Sequence, residues 1–248
     1  MLERTFCFLP GIGPKSERRL WRHGITTWST FLNSAAIAGI GRQRKTTYDE
    51  ALASAVTHRE KEDARYFGVA LPSAEMWRLF EWLRPRAVYL DIETNSFGQI
   101  TVVGLFGRGR YQAFVRGDSL TAVALAQALG DYDLLLTFNG SSFDLPMLLA
   151  EFPNLPLDHP HIDLCWLGRR LKYRGGLKLI ETQLGITRPP GLQARDGSDA
   201  ILWWNRWQRR RDTAALELLL AYNEADCVNL EPLADRFYCE LSASMMQV

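Results

Sequence analysis

Asp91 and Glu93 stand two residues apart at the end of AVYLDIE, a mostly apolar run. In a strand, side chains at i and i+2 share a face, so both carboxylates aim at one point. Adjacent like charges repel unless a cation compensates them. Carboxylate oxygens suit hard ions such as magnesium or manganese. A solvated strand end, turning at Thr94 and Asn95, accounts for the same pair. Asn139 and Asp144 lie in TFNGSSFDLPML, where an apolar run meets a polar turn and a helix begins. Open α/β sheets place their sites at the C-terminal ends of such strands. Asp144 at the helix start also suits the helix dipole alone. Tyr222 and Asp226, four residues apart in LLLAYNEADCVNLEPL, share one helix face. Among Leu218, Leu219, Ala225, Val228 and Leu230, Asp226 reads either as a buried carboxylate needing a partner or metal, or as an exposed acid, as Glu224 does.

The elements that must position these residues follow from period and punctuation. Residues 5–32 read as two short helices around the turn Pro10-Gly11-Ile12-Gly13-Pro14. The second starts near Lys15, carries Leu20 and Trp21 on one face and ends at Gly24. Residues 46–64 form a polar helix, and residues 74–83, AEMWRLFEWL, an amphipathic one. From Ala87 the pattern changes to strands. QITVVGLFG and RYQAFVRG form a hairpin turning at Gly107–Gly109. Residues 119–129 are an alanine-rich helix, 133–138 a short buried strand, and 142–151 a helix. After Asp163 the chain is helical almost to its end, with a polar loop at Arg188–Gly197. His161 belongs to the start of that helical region or to the core. Trp203, Trp204 and Trp207 read as core. The expected fold is α/β: a mixed sheet flanked by helices, with a small N-terminal helical domain at 1–70 and the main domain at 71–248.

Composition narrows the class. Hydrophobic residues make up 47% of the 248 and charged residues 23%, enough for a sizeable core. The net charge of +1 excludes general coating of nucleic acid, so any such contact comes from local patches. Cys7, Cys165, Cys227 and Cys239 form no CxxC pair, which argues against zinc and against a disulfide framework. No apolar stretch approaches the roughly 20 residues of a membrane helix, and the N-terminus lacks a signal-peptide core. A cytoplasmic protein without membrane partners is expected.

The segments YLDIET, TFNGSSFDLPML, HIDLCWLGRRLK with GLKLIETQLGI, and LLAYNEADCVNL occur in an order that resembles the DEDD exonuclease superfamily, of ribonuclease H-like fold, in its tyrosine subclass. More finely, they resemble the YprB-type ribonuclease H-like exonuclease domain, over roughly residues 74–240. The resemblance implies a 3′→5′ exonuclease using two divalent ions, Mg2+ or Mn2+. By that resemblance Asp91, Glu93 and Asp226 bind the first ion. Asp91 also reaches the second, which Asp144 helps to hold, and Tyr222 orients the attacking water. Two ions about 3.5–4 Å apart activate water and ease the leaving oxygen, so no histidine base is required. The resemblance also puts Arg169, Arg170 and Lys172, with Arg174 and Lys178, beside the substrate path. They and Asn139 are expected nucleic-acid contacts, although solvated helix faces explain the cations equally well.

LPGIGPKSERRLWRHGI resembles a helix-hairpin-helix motif. Gly11 and Gly13 would let the backbone approach a phosphate that Lys15 also meets. A packing hairpin is the plainer reading. On the motif reading DNA is favoured over RNA as partner. An RNA-trimming exoribonuclease and a non-catalytic binding module are the other readings.

Overall fold

The computed structural model describes residues 1–246. Those residues cluster into two compact units. One comprises Met1–Arg84, Asp158–His161 and the residues from Tyr238 onward; the other comprises Pro85–Leu157 and Ile162–Phe237. No described helix is long and apolar enough to cross a membrane.

The first unit is helical: α1 (Pro14–Arg22), α2 (Trp28–Leu32), α3 (Arg42–Glu60), α4 (Ala64–Ala70) and α5 (Phe80–Leu83). Pro14 opens α1 at a position where its missing N–H costs nothing. Gly24, at φ +82°, stops it. The helix expected before the glycine turn is absent. Only a 3-10 turn, Leu2–Arg4, precedes it. The reason lies in Glu17, which is fully buried. Its Oε2 accepts the Phe6 N–H at 2.7 Å and the Thr5 hydroxyl at 2.7 Å, while Trp28 Nε1 donates to the Thr5 carbonyl at 2.7 Å. Side chains thus claim the peptide groups that a helix would have used. Arg78 balances Glu17 at 2.6 Å and Glu75 at 2.6 Å. The expected helix over 74–83 is instead a 3-10 segment, Ser73–Leu79, running into α5.

The second unit is built on a five-stranded sheet of order β3-β2-β1-β4-β5. Its strands are β1 (Ala87–Thr94), β2 (Ile100–Gly107), β3 (Arg110–Val115), β4 (Leu134–Thr137) and β5 (His161–Asp163). β1 runs antiparallel to β2 and parallel to β4, and β2 and β3 are antiparallel. The expected hairpin is present. Arg108 and Gly109 both take positive φ, +51° and +72°, the turn whose twist matches the strands. His161 lies in β5, so this stretch is an edge strand and not the start of a helix.

The remaining helices are α6 (Ala122–Leu129), α7 (Asp144–Glu151), α8 (Leu164–Arg170), α9 (Leu177–Leu184), α10 (Gly197–Arg210) and α11 (Thr213–Met246). Strand alternation sorts the layers. Val88, Leu90 and Ile92 of β1 face a core shared with Leu125, Leu129 and Leu148 of α6 and α7. Val102 and Val115 of β2 and β3 face Trp203, Trp204, Leu219 and Tyr222 of α10 and α11. The tryptophans are therefore core, as expected. This is the mixed sheet with flanking helices that the sequence predicts, and it leaves Asp91 and Glu93 on the β1 face opposite Val88, Leu90 and Ile92.

Candidate active site

Asp91, Glu93 and Asp226 each offer a carboxylate oxygen within 4.8 Å of the other two. β1 supplies the first pair and α11 the third. Glu93 and Asp226 are buried and Asp91 is half-buried. The fourth acid, Asp144, is buried at the first turn of α7. β1 pairs with β4 over Ala87–Tyr89. Farther along β1, the Ile92 N–H donates to Asp144 Oδ1 at 3.1 Å. Asp144 thus satisfies a strand amide beyond the paired stretch.

The electrostatics are those of anions crowded out of water. Burial is the main cause that lifts all four acids. Asp91 is held well above the usual carboxylate range, with Asp226, Glu93 and Asp144 adding to the effect. Glu93 is pushed up to about 8 by burial and then by Asp226. Asp144 is pushed up to about 7, even though backbone N–H groups oppose the shift. Burial raises Asp226 as well, and Arg188 opposes the shift. Glu93 Oε1 is buried without a hydrogen-bond partner. A buried polar atom of this kind calls for a partner. Three hard oxygen donors facing one another, one of them unsatisfied, fit a divalent cation. Asp91, Glu93 and Asp226 are the residues that would hold it.

Tyr222 sits one helical turn before Asp226 and is also buried. Its hydroxyl accepts from Lys178 Nζ at 2.5 Å. Burial, then Asp226 and Glu93, push the phenol upward, so it keeps its proton. Glu224 is exposed, as its position on the helix suggested. Asp91, Phe138, Gly176, Leu177, Lys178, Leu179, Tyr222 and Asp226 line one open cleft of about 430 Å³. Lys178 is the member of the basic stretch on this cleft. Arg169, Arg170 and Lys172 are exposed at the end of α8 and just after it. The Arg169 guanidinium lies 5.1 Å over the ring of Trp166. Gly11 (φ +76°), Gly13 and Lys15 belong to the other unit, with Gly13 capping α1.

Three positioning residues escaped the sequence reading. Asn223 Nδ2 donates to Asp91 Oδ2 at 2.8 Å, and Asn223 Oδ1 accepts from the Tyr111 hydroxyl at 2.8 Å. Asp163 accepts the N–H groups of Asn139 (2.8 Å), Ser141 (3.1 Å) and Cys165 (3.0 Å). It thereby pins the loop before α7, where Asn139 takes a φ of +66°. Arg188, expected in a polar loop, is buried and donates to Asp226 Oδ1. The one signal for Asn223 is the glycine at 104, an unusual residue for a strand interior. Gly104 pairs with Asp91 across the sheet. A Cβ there would stand 1.8 Å from Asn223 Oδ1 and 2.8 Å from Cys227 Sγ. Gly104→Ala is expected to lose about 3 kcal/mol or more from overpacking. That corresponds to a fall in Tm of roughly 6–12 °C in a chain of this size, read by thermal melts.

A family model described as the RNase_H superfamily matches residues 88–238. No curated protein sequence matches the chain. Among solved structures, Escherichia coli RNase D, an exoribonuclease involved in structured RNA processing, is similar at 22% identity and a TM-score of 0.47, over 69% of this chain and 43% of that one. This chain thus spans less than half the length of that protein. The Aedes aegypti Nibbler EXO domain is similar at 14% identity and a TM-score of 0.43, over 67% of this chain and 86% of that one.

Proposed function

From the premise that this chain belongs to the RNase H superfamily, we propose that it is a metal-dependent nuclease that removes nucleotides from the 3′ end of a nucleic-acid strand. The observation that carries the reading is the acidic triad: three carboxylate oxygens within 4.8 Å, with Glu93 Oε1 unsatisfied. A site for binding alone would gain nothing from concentrating negative charge where phosphates must approach. The finer assignment, to the tyrosine subclass of DEDD exonucleases and its YprB-type domain, rests on Tyr222, Asp226 and the order of the motifs. Asp144 completes the set of four acids.

Divalent ions at such a centre supply a nucleophilic hydroxide and stabilise the leaving oxygen. The chain's residues orient the reaction. Asn223 fixes the Asp91 carboxylate. Tyr222, protonated and accepting from Lys178, orients the attacking water by hydrogen bonding and keeps its own proton. Lys178 adds a positive charge for the scissile phosphate. Phe138, Leu177 and Leu179 give the cleft an apolar side for the terminal sugar and base. Arg169, Arg170 and Lys172 serve the strand farther from its end, and Asn139 the phosphate beside Asp144.

The substrate class is a nucleic-acid strand with a free 3′ end. The expectation of DNA comes from the N-terminal segment alone. The structure has that segment's glycine turn and second helix but not its first. A panel of DNA and RNA oligonucleotides therefore decides the sugar. Tyr222→Phe is expected to slow cleavage by roughly 10–100-fold while leaving Mn2+ affinity by calorimetry unchanged. An unaltered rate would remove Tyr222 from the mechanism.

A further inference from the structure

Arg188 is a buried cation to which the proposed chemistry assigns no part. It lies between α9 and α10 and is 7% exposed. Its Nε donates to Glu181 Oε2 at 2.6 Å and its Nη2 to Glu181 Oε1 at 2.8 Å, a two-pronged grip that fixes the guanidinium plane. Asn229 of α11 donates to the same Glu181 Oε1 at 3.0 Å, which anchors the grip from a second element. With its partners thus supplied, the guanidinium still reaches farther: Nη2 also donates to Asp226 Oδ1. Among the described residues, Arg188 makes the one ion pair to a member of the triad. Lys178, the other cation nearby, donates instead to the Tyr222 hydroxyl and the Arg195 carbonyl.

We propose that Arg188 is a positioning residue that sets the divalent-cation affinity of the acidic centre. The proposal rests on the metal reading above. The guanidinium commits one oxygen of Asp226 and leaves the other for an ion. It also fixes the carboxylate's direction before any ion arrives. A charge held rigidly beside the ligand then opposes the incoming cation, and the buried Glu181 prevents it from swinging away. The centre is preformed, and its affinity is lower than the acids alone would give.

The test compares Mn2+ binding to the full chain by calorimetry, with thermal melts alongside. The informative variant is Arg188→Gln in a Glu181→Gln background. Both side chains stay polar and of similar size, Asn229 keeps its acceptor, and Glu181 is not left as an unpaired buried charge. The expected result is Mn2+ binding about tenfold tighter than in the parent chain, because of the two opposite charges removed only that of Arg188 is paired with Asp226. Arg188→Lys retains the charge and is expected to bind within about threefold of the parent. Affinity unchanged or weakened in the double variant would overturn the proposal and leave Arg188 as an anchor for its loop. Should the double variant not fold, Arg188→Gln alone is measured, and Mn2+ binding no tighter than in the parent chain overturns the proposal. A parent chain that takes up no Mn2+ would instead overturn the metal reading itself, and this inference with it.

Discussion

Asp91→Asn is expected to abolish cleavage and at the same time to raise the melting temperature of the metal-free protein. The two effects share one cause. Asp91 is one of the three clustered acids, and its carboxyl is held well above its ordinary range by burial and by Asp226, Glu93 and Asp144. Replacing it with an amide keeps the shape, and Asn223, whose Nδ2 donates to Oδ2, can still donate to an amide oxygen. The substitution removes a carboxyl that the fold lets ionise only against burial and repulsion. It also removes one of the three carboxylates that would hold the metal. Loss of one such ligand is expected to cost about a thousandfold or more in rate, the scale of removing a principal electrostatic group. A core residue that mattered only for packing would behave oppositely, losing activity with stability. Melts in EDTA and single-turnover cleavage on the same preparations check the pair.

The second large effect is in pH. Glu93 is pushed up to about 8 and Asp144 to about 7 in the folded chain, whereas unfolded carboxyls titrate near 4. Between those limits the folded state holds protons that the unfolded state has released. Stability therefore falls as pH rises through this window and levels off above about pH 8. Each pKa unit carries about 1.4 kcal/mol, and each kcal/mol moves Tm by roughly 2–4 °C. The metal-free protein should thus melt at least about 5 °C lower at pH 8 than at pH 5. Metal reverses the slope, because an ion binds the deprotonated carboxylates and competes with those protons. The rise in Tm on adding Mn2+ should therefore be small at pH 5 and grow toward pH 8. Parallel melts in EDTA and in Mn2+ check this. A metal-free Tm that climbs with pH would mean that the acids are not crowded as described.

What could be read from the sequence follows from the range of each interaction. Asp91 and Glu93 come together because alternation within one strand brings them together. Tyr222 and Asp226 do so because one helical turn separates them. Asn223 was hidden because its partner Asp91 is 132 residues away, and only the glycine at 104 marks the space it fills. Arg188 was hidden for the same reason: its loop looks polar and solvated until Glu181 and Asp226 surround it. β5 has three residues, too few for alternation to show, so His161 read as a helix entry or a core residue. Before α1 the apolar pattern suits a helix, but the buried Glu17 carboxylate takes the Phe6 amide and the Thr5 hydroxyl. In each case a tertiary partner overrode a local preference.

The most direct measurement uses a single-stranded oligonucleotide labelled at its 5′ end, in DNA and RNA forms, with purified chain and either Mg2+ or Mn2+. The account predicts a ladder that shortens from the 3′ end, stops in EDTA and is absent with Asp91→Asn. Intact substrate of both kinds in both metals, with a chain shown to be folded, would contradict it.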